Sequence, residues 1–209
     1  MSDIISVMNK TSYHNCTYIV GIDEVGRGPI AGPVTVGAFL VTRKHQARVN
    51  RALPDITDSK KLTEGAREDY TQKIRDLADQ GLCQFVTSSV SAQVIDHKGI
   101  SYAIRLAIRR CVTKLALDPK LSFIYLDGGL SAPEPFDQET VIKGDEKIWQ
   151  ISAASVVAKV TRDHVMIRYS KHYSGYGFET HKGYGTKNHR SEIKKRGVCD
   201  LHRKTWIKN

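Results

Sequence analysis

The 209-residue chain has only four cysteines, Cys16, Cys83, Cys111 and Cys199, standing 67, 28 and 88 residues apart. No CxxC pair occurs, which excludes the usual disulfide framework and the thiolate zinc site and fits a reducing compartment. No stretch of about 18 apolar residues exists to cross a bilayer. The short apolar pieces near the start, broken by Asp3 and Lys10, do not make a secretory leader. The expected location is therefore the cytoplasm. Internal repeats and low-complexity tracts are missing too, which excludes solenoids and propellers. So are HExxH, GxSxG and GxxxxGK[ST], and with them the zinc-protease, hydrolase-elbow and P-loop readings.

Acidic residues run short in one part of the chain only. The whole carries 32 Lys and Arg against 22 Asp and Glu, a net charge of +10. From Lys143 onward the balance is +9, against +1 before it, and that last third also holds five of the eight histidines. Basic charge concentrated on one segment of a balanced chain is what a polyanionic partner selects. For charge alone, a solvated surface is the plainer alternative.

Hydrophobic patterning gives an α/β chain. Tyr18–Ile22 and Val34–Val41 read as strands around the glycine- and proline-rich Gly26–Pro33, and residues 43–62 as a polar loop. Thr63, Glu64 and Glu68 begin an amphipathic helix that runs to about Gln80, with Tyr70, Ile74 and Leu77 on one face. Gly81 ends it, and Cys83–Val90 is a third strand. Ile104, Ile108, Cys111 and Leu115 form the single buried stripe of a long helix. Leu121–Asp127 is a buried strand stopped by Gly128 and Gly129, and Thr140–Lys143 a short fifth one. Ile151 to about Tyr169 is helical, with Ala154 and Ala158 small enough for close approach to a sheet. A glycine-rich loop, Gly175–Gly185, then precedes a basic helix, Asn188–Arg196. Strands alternating with helices predict a mixed five-stranded sheet covered on both faces. The final 35 or so residues look like a small helical appendage.

Four carboxylates stand where such a fold puts ligands. Asp23 and Glu24 end the first strand, Asp127 ends the fourth, and Asp145 follows Gly144 just before a helix. Singly, each is ordinary turn or cap chemistry. Four converging carboxylates would repel one another and call for hard cations with oxygen ligands. The glycine loop does not supply a dinucleotide site: Gly26-x-Gly28-x-x-x-Gly32 is not GxGxxG, and Pro29 and Pro33 keep a helix from starting there.

Read in order, these blocks carry a resemblance. YIVGIDEVGRGPIAGP at Tyr18–Pro33, DSKKL at Asp58–Leu62, YLDGG at Tyr125–Gly129, Lys143-Gly144-Asp145 ahead of ISAASVVAKVTRD at Ile151–Asp163, and HKGYGT at His181–Thr186 resemble bacterial ribonuclease HII. The likeness implies a ribonuclease H-like catalytic domain over residues 18–173, after a lead-in of residues 1–17. Residues 174–209 would be a basic loop and helical appendage of the same compact unit. It implies cleavage of the RNA strand in RNA–DNA hybrids, and on the 5′ side of single ribonucleotides in duplex DNA, leaving 3′-hydroxyl and 5′-phosphate ends. Two divalent ions, Mg²⁺ or Mn²⁺, would serve a monomer. The family's acidic ligands fall on Asp23, Glu24, Asp127 and Asp145, its GRG loop on Gly26, Arg27 and Gly28, and its substrate-sensing tyrosine on Tyr184. Trp149-Gln150 departs from the aliphatic start expected for the following helix.

Telling RNA from DNA at one nucleotide means detecting one 2′-hydroxyl. Glycine backbone at 26 and 28 allows close approach to a sugar, and a tyrosine in a glycine-flanked loop can donate to its hydroxyl. Lys60 is a candidate phosphate contact, while Lys194–Arg196 reads equally well as a solvated face. Lys159 and Arg162 either flank the scissile phosphate or pair with acids such as Asp163, itself a minor rival to Asp145. His164, His172 and His189 lack ligand spacing and are expected at the surface. Two alternatives remain at this point. Ribonuclease HIII shares the acids but usually has lysine at the place of Arg27, and an extra N-terminal domain that 17 residues cannot form. A non-catalytic nucleic-acid binder would leave the acidic cluster unexplained.

Overall fold

The computed structural model describes residues 13 and 15–207. Five strands form one sheet in the order β3-β2-β1-β4-β5: β1 (Tyr18–Val25), β2 (Val34–Thr42), β3 (Cys83–Val90), β4 (Ser122–Asp127) and β5 (Asp137–Val141). The first three are antiparallel neighbours, whereas β4 runs parallel to β1, and β5 parallel to β4. The sheet is mixed, as the alternation of elements predicts. Because β1 and β4 are parallel, with Ile22 opposite Leu126, their carboxyl ends finish side by side.

Period-two alternation divides the core. Val20, Ile22, Val36 and Ile124 pack on one face with Ile104, Ile108 and Cys111 of a long helix, Ile100–Lys114. Ile19, Phe39, Val41 and Phe123 pack on the other with Ala153, Ala154 and Val157. Numbered in chain order among the described residues, the α-helices are α1 (Gln46–Ala52), α2 (Glu64–Asp79), α3 (Ala92–Lys98), α4 (Ile100–Lys114), α5 (Gly144–Lys147), α6 (Trp149–His172), α7 (Phe178–His181) and α8 (Lys187–Arg196). Among the described residues no helix is long and apolar enough to cross a membrane.

Helix α6 lies unusually close to the sheet, and the sequence explains why. A Cβ on Gly21 would fall 2.2 Å from the Gln150 carbonyl, and one on Gly37 would fall 2.3 Å from the Ala154 oxygen. Two strand glycines, Gly21 against the Gln150–Ile151 backbone and Gly37 against Ala154 and Ala158, therefore let backbone meet backbone, which brings the helix's start down beside the strand ends.

Several expectations need correction. The polar window at residues 43–62 contains α1, which buries Val49, and a further helix, α3, follows the third strand. The fifth strand begins at Asp137, three residues before its expected start. Inside the supposed loop Gly175–Gly185, one helical turn, α7, wraps the fully buried Phe178. Most of the lead-in lies outside the described residues, but Tyr13 stacks edge-on against Phe123 and Cys16 is buried. Trp149 and Gln150 have partners: Trp149 packs against Phe39, and Gln150 donates to Gln46 at 3.2 Å.

The last segment is stitched into the sheet end rather than hung upon it. His202 bridges to Ala31, and the Arg203 amide donates to the Ile30 carbonyl at 2.8 Å. The buried Arg203 guanidinium donates to the carbonyls of Gly26, Arg27 and Gly32. One side chain thus satisfies three carbonyls of the loop between β1 and β2, a loop with no ladder of its own.

Candidate active site

Asp23 sits near the end of β1 on the α6 side; Glu24 follows it, and Asp127 ends β4. One carboxylate oxygen from each lies within 4.8 Å of the other two. Parallel pairing of β1 with β4 is what produces this convergence. Asp127 is held from outside the triplet, its Oδ1 accepting the Gly144 amide at 2.6 Å. A Cβ at Gly144 would fall 2.5 Å from the Ile151 Cδ1, so a side chain there would have to displace Ile151.

Asp145, the second residue of α5, is buried. It stands outside the 4.8 Å triplet but feels the charges of Asp127 and Asp58. Burial above all, then those two charges, pushes its carboxyl up to about 6. Burial likewise pushes Asp23 up to about 8, against a hydrogen bond from Ser155 and with Glu24 and Asp127 adding repulsion. Glu24 is raised by burial, partly offset by Arg27 at 3.5 Å. Protonation is one answer to crowded buried carboxylates; a hard cation is the other. An all-oxygen donor set on ordered strand ends fits Mg²⁺ or Mn²⁺.

The two glycines of the GRG loop differ. Gly26 has φ +87°, and a Cβ there would lie 2.2 Å from the Arg162 side chain and 2.7 Å from the Pro33 oxygen, so the fold itself demands glycine. Gly28 has nothing within 4 Å of a would-be Cβ and no left-handed φ. Arg27 between them is exposed, and a shallow cleft continues past it along Ser101, Arg105 and Gly129.

Lys60 stands at the rim, in a turn whose Asp58 side chain accepts the Lys60 amide at 2.9 Å. Burial lowers its ammonium, but Asp58, Asp145 and Asp23 outweigh that and raise it. Tyr184 lies close to the same lysine and is 42 % exposed. The Tyr184 loop abuts the glycine loop: Ile30 and Ala31 donate to the Gly183 carbonyl at 3.0 and 3.2 Å.

Other candidates lie elsewhere. Arg162 is wholly buried and donates to the Pro33 and Ala31 carbonyls, so it braces the loop rather than facing a phosphate. Lys159 pairs with Asp163 at 2.8 Å. Lys195 and Arg196 pair with Glu192 on an exposed face. His164 and His172 are at the surface as expected, but His189 is fully buried. It bonds the Tyr184 carbonyl and His202, partners that its spacing does not reveal. Arg203 and His202 carry no signal in the sequence, because a histidine and an arginine after a short irregular stretch normally read as surface.

A family model described as Ribonuclease HII matches residues 20–209. A protein of Endomicrobium trichonymphae named Ribonuclease HII is 42 % identical over 98 % of this chain and 92 % of its own length. One from Bacillus cereus, with the same name, is 42 % identical over 91 % of this chain and 69 % of its own. Among solved structures, ribonuclease H2 from Pyrococcus horikoshii OT3 superposes with a TM-score of 0.70 at 26 % identity, covering 90 % of this chain and 93 % of that one. Ribonuclease HII from Archaeoglobus fulgidus, solved as a complex with PCNA, gives 0.71 at 25 %, covering 91 % and 96 %. Bst-RNase HIII in complex with Mn²⁺ shares the fold at 0.66 and 21 % identity, covering 89 % of this chain and 65 % of its own.

Proposed function

The chain belongs to the ribonuclease HII family, and on that premise we propose that it cuts the RNA strand of RNA–DNA hybrids and the 5′ side of single ribonucleotides embedded in duplex DNA. The observation that carries this reading is the triplet of Asp23, Glu24 and Asp127 oxygens within 4.8 Å, beside an open glycine at 28. Asp23, Glu24, Asp127 and Asp145 would hold two divalent ions, Mg²⁺ or Mn²⁺, and the chemistry such ions supply when bound is activation of water and stabilisation of the attacking and leaving oxygens. The protein's own residues do the rest. The Gly144 amide fixes the Asp127 carboxylate through Oδ1. The Gly26–Gly28 backbone lies against the ribose, and the Tyr184 hydroxyl donates to the 2′-oxygen, which DNA lacks. Lys60 and Arg27 meet phosphates on either side, which orients the duplex without reading its sequence.

The products are a 3′-hydroxyl and a 5′-phosphate. The enzyme acts as a monomer on nucleic acid in the cytoplasm, with residues 18–173 as the catalytic domain and residues 174–209 as part of the same unit. Incubating an end-labelled RNA–DNA hybrid with Mg²⁺, with Mn²⁺ and with EDTA tests the reading. Internal RNA cuts bearing 5′-phosphate ends, lost in EDTA and restored by either ion, are expected. Unchanged cutting in EDTA, or cuts leaving 5′-hydroxyl ends, would refute it.

A further inference from the structure

We propose that His189 and His202 form a buried neutral pair, each locked in one tautomer, that positions Tyr184 for ribonucleotide selection; the proposal rests on the reading of Tyr184 given above. Both rings are buried, at 0 % and 1 % exposure, and their Nε2 atoms face each other at 3.1 Å. Two nitrogens at that distance need one proton between them: two N–H groups would clash, and two lone pairs would repel.

The outer ends of the pair decide where that proton sits. The Cys199 backbone amide, which can only donate, is 2.9 Å from His202 Nδ1. That nitrogen therefore carries a lone pair, and the proton of His202 is on Nε2. The Tyr184 carbonyl, which can only accept, is 2.8 Å from His189 Nδ1. That nitrogen therefore carries the proton, leaving His189 Nε2 to accept from His202. The two ends, fixed independently, give the same direction. Two other Cys199 groups approach His202 Nδ1: the thiol Sγ at 3.2 Å, which can itself donate to that lone pair, and the carbonyl at 3.3 Å, more distant than the amide.

A third ring supports the arrangement. His181 stacks on His189 with centroids 4.2 Å apart, while its Nε2 reaches the Tyr176 carbonyl at 2.7 Å and its Nδ1 accepts the Gly183 amide at 3.2 Å. The ionisable groups facing the pair are His181, Arg190, the Tyr176 phenol, whose ring lies 5.1 Å from that of His202, and the Cys199 thiol, and burial raises both the phenol and the thiol. None supplies a negative charge to favour an imidazolium, and burial lowers both members of the pair.

The pair closes a ring of contacts around the site. The Tyr184 loop meets the glycine loop through the Gly183 carbonyl, and Arg203, next to His202, clamps the same loop through Gly26, Arg27 and Gly32. His202 to His189 to the Tyr184 carbonyl is the remaining link. Losing its proton order would free the backbone of Tyr184 while leaving its phenol intact.

Long-range ¹H–¹⁵N correlation on full-length protein labelled with ¹⁵N-histidine tests the assignment directly. We expect the Nδ1–H tautomer at His189 and the Nε2–H tautomer at His202 at pH 7. The opposite tautomers, or an imidazolium at either position, would overturn the pair. A functional arm uses single-turnover cleavage of a duplex with one embedded ribonucleotide, beside binding to its all-deoxy twin. His202→Gln keeps a donor near the Nε2 position and should stay within threefold of wild type, whereas His202→Phe should slow cleavage about tenfold. Binding of the twin should not change in either. Tyr184→Phe is run in parallel: if it cleaves like wild type, the reading of Tyr184 fails and the selection role goes with it. If Tyr184→Phe is slow but His202→Phe is not, the pair alone is refuted.

Discussion

Gly26 and Gly28 flank one arginine and answer to different demands. At Gly26 the left-handed φ and the neighbouring Arg162 and Pro33 atoms leave no room for a methyl group. Gly26→Ala should therefore cost on the order of 1–3 kcal/mol of stability, visible as a lower melting temperature. Gly28→Ala meets nothing in the protein and should change stability by less than about 0.5 kcal/mol. If the backbone there lies against ribose, the same variant should still cleave a hybrid at least ~10-fold more slowly, since about 1.4 kcal/mol is tenfold in rate. Full activity in a stable Gly28→Ala protein would remove the sugar contact. Asp127→Asn retains the Oδ1 that accepts from Gly144 and deletes one charge from a repulsive cluster. Melting without divalent metal should be unchanged or higher, while cleavage falls roughly 100-fold or more, the loss of several kcal/mol of charge stabilisation. A variant cleaving within tenfold of wild type would take Asp127 out of the metal set. At this scale the sequence made the strand-end acids legible, because a carboxylate following an apolar run has a defined place. Buried Arg162, Arg203 and His189 were not legible: their partners lie far off in sequence, and charged residues are usually exposed.

Elements were readable where local pattern and tertiary demand agree. Strands β1, β3 and β4 are apolar or β-branched runs bounded by turns, and Thr63 caps α2 by accepting the Ala66 amide at 3.2 Å. Helix α1 hid because only Val49 turns inward from a polar stretch, and α7 because one turn around Phe178 has no period to detect. Helix α8 carries His189, and here a pH effect follows. Burial first, aided by His181, His202 and Arg190, pushes His189 down to about 4 against a backbone hydrogen bond to Tyr184. Unfolded, the same ring takes a proton near 6.5. Between those values the unfolded state binds more protons, so stability falls as pH is lowered through that window. His189→Asn has no ring to titrate. Its stability deficit relative to wild type, measured by urea unfolding, should therefore be largest at pH 7 and shrink toward pH 5. A deficit independent of pH would mean His189 is not held neutral.

Across the whole molecule, a net charge of +10 accompanies a partly buried acidic cluster. On the proposed reading the two features divide the work between them: basic side chains draw in the polyanion, and the carboxylates stand where the scissile phosphate would sit. If six phosphates are contacted, the logarithm of hybrid affinity should fall with the logarithm of salt with a slope on the order of −4 to −5. Lys60→Ala should reduce that slope by about one unit on every duplex alike; an unchanged slope would place Lys60 off the interface. On the proposed reading, charge draws the enzyme to any duplex and selection comes from the Gly28 backbone and Tyr184. The most direct test is therefore to compare one duplex containing a single ribonucleotide with its all-deoxy twin, under single-turnover conditions with Mg²⁺. A single cut on the 5′ side of the ribonucleotide, with no cleavage of a twin bound about as tightly, is the predicted result. Equal cleavage of both duplexes, or none of either in active protein that cuts long hybrids, would contradict it.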